Sequence, residues 1–373
     1  MGSRRDRCRR SGRILRKGAP EDLPPAARGR RGDGAVVRIG VIGAGAWGRN
    51  HVRTFASLEE AELAVVADRS PEVRRRIARD HPHVRCAADA AQAFEDPSID
   101  GVVLATPAPT HARLARAALE AGKHVLVEKP LALDVREAEE LERLARKCGR
   151  VLMVGHLLLY HPAVLYLKRL LDEGELGRPL YLYCERVNLG VIRRDENALW
   201  SLGPHDLSLA LFLLGDGVSD VSARGAAYIT PGVHDVVFAN LRYGDHRMAN
   251  LHVSWLDPHK SRRVVLVGDR KMAVFDDMAA QEKVRIYDKG ALPDAVGYAE
   301  HLTVRSGDIL IPKIPMSEPL REEARAFVEA IRTGDPPRTG ASHGVEVVRL
   351  LAAAQASLED GGRPVPVPGA PAP

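Results

Sequence analysis

Val36-Val37-Arg38-Ile39-Gly40-Val41-Ile42-Gly43-Ala44-Gly45-Ala46-Trp47-Gly48 decides the fold. A run of β-branched residues ends in Gly43-x-Gly45-x-x-Gly48, and a helical segment follows. In this setting the first glycine permits a tight turn, the second lets backbone approach a pyrophosphate, and the third lets helix and strand pack closely. The helix start adds unpaired N–H groups and a partial positive charge. Gly43, Gly45, Ala46, Trp47 and Gly48 are therefore expected to hold a dinucleotide. Asp68 ends the next strand, 20 residues beyond Gly48. A carboxylate there accepts from adenosine ribose hydroxyls and repels a 2′-phosphate, which favours NAD and puts NADP second. Arg69 counts the other way, since an arginine in that loop pairs a phosphate or stacks on adenine.

Outward from the turn, strands and helices alternate. Strands are predicted at 36–42, 63–67, 100–105, 124–128 and 151–154, and helices at 46–58, 71–79, 110–121 and 135–148. Ser70 and Pro71 open one helix as N-cap and first residue, and Gly122 and Gly149 close two others. This alternation predicts an α/β Rossmann domain over residues 36–155. After Gly155 the rhythm changes. Helices are predicted at 162–173 and around 200–214, with strands at 180–187, 218–228, 233–242, 247–255, 262–267, 272–276 and 284–287. Consecutive strands predict an α+β C-terminal domain over 156–318 with a mostly antiparallel open sheet. The stretch 291–317, punctuated by Pro and Gly, receives no assignment. Two helices, at 319–332 and 343–358, are expected to pack back on the core within 319–367.

The chain has 373 residues, 45% of them hydrophobic, and a mean hydropathy of −0.18, as for a water-soluble globular protein. No apolar stretch reaches the roughly 20 residues of a membrane span. The isoelectric point near 9.1 is a property of one segment: residues 1–35 hold eleven Lys/Arg and four Asp/Glu, whereas the remainder carries 43 basic and 45 acidic residues. A folded part so near neutrality offers no electrostatic footprint for nucleic acid. The basic tail is expected to be disordered and lacks the apolar core of a secretory signal. Cys8, Cys86, Cys148 and Cys184 form no C-x-x-C pair, so neither a structural zinc site nor a disulfide framework is expected, and a cytoplasmic setting is.

Glu128-Lys129-Pro130 follows the apolar run His124-Val125-Leu126-Val127, about 80 residues after the glycine-rich turn. A lysine there stands at the carboxyl edge of the sheet, where open α/β sheets bind ligands. Beside a cationic nicotinamide its pKa falls, and it can share a substrate proton, with Glu128 to orient it. Ala105-Thr106-Pro107 ends another strand and leaves room for the nicotinamide ribose. His111 opens the helix after it, where a packing or capping role is the simpler expectation.

Taken together, the turn, Ala105-Thr106-Pro107 with His111, and Glu128-Lys129-Pro130-Leu131 resemble the glucose–fructose oxidoreductase / inositol dehydrogenase / MocA family. Glu318-Pro319-Leu320, Gly334-Asp335-Pro336-Pro337 and the Ala-rich last helix agree, so the likeness runs from about Val36 to Val367. It implies an NAD(P)-dependent dehydrogenase of CH–OH groups in sugars or cyclitols, assembled as a homodimer or homotetramer. It implies cofactor contacts from Thr106, Pro107, His111, Glu128 and Lys129 as well as from the turn.

The family usually carries Asp-x-x-x-His early in the second domain. Here Ser201-Leu202-Gly203-Pro204-His205 keeps the histidine and lacks the aspartate. Lys129 and His205 are the expected catalytic pair. Asp206 points about 100° away from His205 on a helix and is a poor substitute for the missing carboxylate. The segments 155–162, 186–190 and 197–200 resemble members acting on nucleotide-linked amino sugars such as a UDP-N-acetylhexosamine. That implies substrate contacts from Lys129, Tyr160, Arg186, Asn188, Asn197, Trp200, Ser201 and His205. Free-sugar or myo-inositol oxidation, ketosugar reduction with NADPH, and a catalytically silent cofactor-binding protein are the competing expectations.

Overall fold

The computed structural model describes residues 36–194, 196–292 and 303–368. The expectation of a disordered tail over residues 1–35 lies outside them. β1 (Val37–Ile42) leads to α1 (Gly48–Ala56), β2 (Ala61–Ala67) to α2 (Pro71–Asp80), and β3 (Arg85–Ala87) to the short α3 (Ala91–Phe94). β4 (Gly101–Leu104) leads to α4 (His111–Glu120), β5 (His124–Val127) to α5 (Val135–Cys148), and β6 (Leu152–Val154) completes the sheet. Its order is β3-β2-β1-β4-β5-β6 and its pairings are parallel. The strand order reverses between β1 and β4, so the ligand crevice lies above their carboxyl ends. β4 and β6 are buried along their whole length, which explains their unbroken apolar sequence. Ser70 caps α2 by accepting from the Val73 N–H, and Gly149 ends α5 in the left-handed region at φ 61°. β3 and α3 went unread because β3 is a three-residue edge strand with no apolar alternation.

The second half holds α6 (Pro162–Asp172), β7 (Pro179–Val187), α7 (Ala198–Leu214), β8 (Val218–Ala226), β9 (Val236–Tyr243), β10 (Met248–Ser254), β11 (Ser261–Gly268), β12 (Met272–Asp276), β13 (Val284–Leu292) and β14 (Thr303–Leu310). α8 (Pro319–Thr333), α9 (Ala341–Glu359) and β15 (Val365–Pro366) follow. The sheet order is β14-β13-β12-β11-β7-β10-β9-β8-β15. β7 and β10 pair in parallel, and the other pairings are antiparallel. β14 fills part of the stretch left unassigned. Its sequence Thr-Val-Arg-Ser-Gly-Asp-Ile-Leu lacks the alternation that marks a strand.

The C-terminal helices join the halves. α8 packs Ala324, Phe327 and Val328 into the core with Val37, Ile39 and Val41 of β1. α9 puts Val345 and Val348 into the core on the other face of that sheet, and Val347, Leu350 and Leu351 into the core of the second. Each of these buried Phe, Val and Leu side chains contributes about 1.5–3 kcal/mol relative to exposure. α9 is therefore a shared wall that sets the start of α7 against the carboxyl ends of β5 and β6.

Candidate active site

The glycine-rich turn has the form a pyrophosphate needs. Gly43 has φ 85°, and a Cβ on Gly48 would lie 2.0 Å from the Gly43 carbonyl oxygen. A Cβ on Gly45 would meet nothing within 4 Å, so this exposed residue borders open space above the turn. Ala46 and Trp47 are exposed beside it. The residues thus fit a dinucleotide. Asp68 braces the turn: one carboxylate oxygen accepts from the Ala44 N–H at 2.8 Å, the other from the Ser70 N–H at 2.8 Å. Arg69 is exposed at the same edge, and Arg76 donates to the Ala44 carbonyl.

Facing the turn, Thr106 and Pro107 follow β4. His111 Nδ1 meets the Pro130 carbonyl oxygen and Nε2 the Thr106 carbonyl oxygen, both at 2.8 Å. With both ring nitrogens on main chain and the side chain buried, His111 ties the loop after β4 to the loop after β5.

Lys129 leaves β5 toward α7. Its Nζ donates to the main-chain oxygen of Ser201 at 2.8 Å. Burial, the largest influence, lowers the amine below its usual range; Arg193 and Arg186 reinforce the shift, while Glu128 and Glu196 oppose it. Glu128 does not reach forward with the lysine. Its carboxylate turns back to α1, accepting from the Trp47 indole N–H and from His51 Nε2 at 2.6 Å, and its second oxygen takes the Lys129 N–H at 3.3 Å. Burial opposes its charge, yet these hydrogen bonds and the neighbouring lysine hold it below the usual carboxylate range.

α7 brings Ser201 and His205 to one face, one turn apart. His205 is held well below the usual histidine range, first by burial and then by the charges of Lys129, Arg186, His156 and Arg262. His205 Nδ1 is buried without a hydrogen-bond partner. A neutral imidazole beside a depressed lysine can accept a proton from a hydroxyl placed between them.

Asp206 indeed points elsewhere. It forms a buried, forked pair with Arg186, with Nη2 to Oδ1 at 2.7 Å and Nε to Oδ2 at 2.9 Å. Arg186 is thereby paired but stays a cation, with Nε and Nη2 taken up. Asn188 accepts from Arg262 Nη2 at 2.6 Å. Asn197 caps α7 by accepting from the Trp200 N–H and donates to Gln355. Trp200 packs on the core of the second domain. Tyr160 stands apart from this group: its hydroxyl meets Thr339 and its ring lies beneath the Arg338 guanidinium.

Three neighbours were not anticipated. His51 lies four residues after Trp47 on the core-facing side of α1, a position that reads as packing. His156 follows β6, is 1% exposed, and has both ring nitrogens without a partner. Arg262 is brought opposite Arg186 by the β11–β7 register. The burial of His156 and that register are invisible in sequence.

Comparison with known proteins is consistent with this geometry. Residues 37–156 match an oxidoreductase family with an NAD-binding Rossmann fold, and residues 164–274 match the GFO/IDH/MocA C-terminal domain. UDP-N-acetylglucosamine 3-dehydrogenase of Acidithiobacillus ferrooxidans is 33% identical over 256 residues, covering 68% of this chain and 78% of its own. Inositol 2-dehydrogenase 2 of Mycolicibacterium vanbaalenii is 32% identical over 346 residues, covering 89% and 95%. The solved structure of GenD2 from gentamicin A biosynthesis, in complex with NAD, superposes with a TM-score of 0.75 at 25% identity, covering 92% and 99%.

Proposed function

The chain belongs to the GFO/IDH/MocA oxidoreductase family, and within it we propose that it oxidises a ring hydroxyl of a sugar with NAD. The observation that carries this is the meeting of Lys129 with the Ser201–His205 turn of α7, at the sheet edge that also bears the glycine-rich turn. A nicotinamide bound there supplies the hydride acceptor. The substrate hydroxyl lies between Lys129 Nζ and His205, which share its proton as the carbonyl forms. Gly43, Gly45, Ala46, Trp47, Gly48 and Asp68 hold the dinucleotide, and Thr106 and Pro107 border the nicotinamide ribose. NAD is favoured over NADP because a carboxylate at the end of the second strand, Asp68, would repel a 2′-phosphate.

We assign the substrate to the nucleotide-linked amino sugars, such as a UDP-N-acetylhexosamine. The loop between β7 and α7 supports this. It presents exposed Leu189, Val191, Arg193 and Arg194 at the mouth of the site, and its Arg193 and Glu196 act on Lys129. Apolar and cationic groups side by side suit a base and a diphosphate. Myo-inositol is the second reading, favoured by the full-length similarity to the inositol enzyme. Following NADH formation with UDP-N-acetylglucosamine, UDP-N-acetylgalactosamine, free sugars and myo-inositol separates the two. Turnover with myo-inositol alone would select the second.

Tyr181, Phe238 and Met248, exposed on the sheet of the second domain, support a homodimer or homotetramer. No helix among the described residues is long and apolar enough to cross a membrane. Among the described residues Cys86, Cys148 and Cys184 are free thiols, which suits a cytoplasmic setting.

A further inference from the structure

Glu128 gathers three donors from two parts of the cofactor crevice. Oε1 accepts from the Trp47 indole and from His51 Nε2, both on the turn-and-helix side, while Oε2 takes the main-chain N–H of Lys129. A carboxylate only accepts, so His51 Nε2 carries the hydrogen in this contact. The carboxylate has little room to swing. A Cβ on Gly155, at the end of β6, would lie 3.1 Å from Oε2, so that strand end walls it in. His51 is fully buried, whereas Trp47 is 42% exposed in the turn itself. Trp47 occupies the N-cap of α1 without capping it by its side chain, so its indole is committed to Glu128.

We infer that His51 and Trp47 are positioning residues for Lys129: through Glu128 they couple the seating of the dinucleotide to the placement of the lysine amine. A turn that shifts as a pyrophosphate settles carries Trp47 with it, and His51 holds the other side of the same oxygen fixed. Because Glu128 is walled in and held at both oxygens, it acts as a rigid strut: a change at its Trp47 or His51 donor is passed to the Lys129 N–H that it accepts from, and so to the amine against Ser201. The inference rests on the dehydrogenase function proposed above, yet its test needs no turnover.

The full-length protein is labelled with trinitrobenzenesulfonate over a range of pH, with and without NADH, and modification of Lys129 is read by peptide mass. In the unsubstituted protein and in His51→Gln, which keeps a donor toward Glu128, NADH is expected to move the pH midpoint by about half a unit or more. In His51→Leu, and in His51→Met should the first variant fold poorly, the midpoint is expected to stay put while NADH still binds by fluorescence titration. An equal NADH shift in the folded His51→Leu or His51→Met protein would overturn the coupling. So would the absence of any shift in the unsubstituted protein. Failure to bind NADH at all would instead refute the proposed cofactor.

Discussion

Lys129 Nζ donates to the main-chain oxygen of Ser201 at 2.8 Å, so backbone of α7 faces the lysine at the position where the family resemblance leads one to expect an aspartate. Pro204 deprives the same turn of one N–H donor, since the residue four positions before it loses its usual partner. His205 then stands among cations. Its protonation is expected to limit turnover only at a pH well below 6.5, the ordinary histidine value. Ser201→Asp would place a carboxylate one helical turn away, favour the imidazolium, and move the acid limb of the kcat profile upward. Superimposable acid limbs in the two proteins would remove His205 from the proton transfer.

Asp206 serves Arg186 rather than His205. Both side chains are buried, and the pair is forked. Removing one partner of such a pair strands a charge and costs about 3–5 kcal/mol. Asp206→Ala should lower stability by that amount in urea unfolding, and Arg186→Met with Asp206→Leu should recover most of it. A loss below about 1 kcal/mol, the range of exposed pairs, would mean that Arg186 is solvated.

Glu323 on α8 is fully buried, with both carboxyl oxygens unpartnered. Burial first, and the charge of Glu128 second, raise it well above the ordinary 4.5. The folded state therefore binds a proton that the unfolded state has lost above that pH. Stability contributed by this group is full below 4.5 and is lost as pH rises toward the folded value. Glu323→Gln removes that loss. The variant should gain on the order of 1 kcal/mol over the parent at pH 8 and nothing at pH 4. A pH-independent difference would show that the Glu323 carboxyl has the same pKa folded and unfolded, and so that burial does not raise it.

The turn and Lys129 were legible as candidates because each lies in a local pattern, three glycines between strand and helix and a lysine after an apolar run, whereas His205 became a candidate only through the family resemblance. What escaped depends on residues far away in the chain. Asn197 spends its side chain on Gln355 as well as its own helix, Tyr160 on Thr339, and Arg186 on Asp206. No local spacing announces such partners. Glu128 was expected to orient Lys129 from beside it, and instead holds it through the backbone while facing His51 and Trp47. The nine-stranded sheet was readable as mostly antiparallel. The parallel β7–β10 pair was not, because it forms only after α7, β8 and β9 have carried the chain around.

Lys129→Met tests the catalytic assignment most directly, with NADH formation measured on the best substrate of the panel and NADH affinity measured separately by fluorescence. General acid–base groups contribute roughly 10²–10⁴-fold, so turnover should fall at least a hundredfold while NADH affinity stays within a few-fold of the parent. Undiminished turnover in a folded, NADH-binding variant would contradict the role of Lys129.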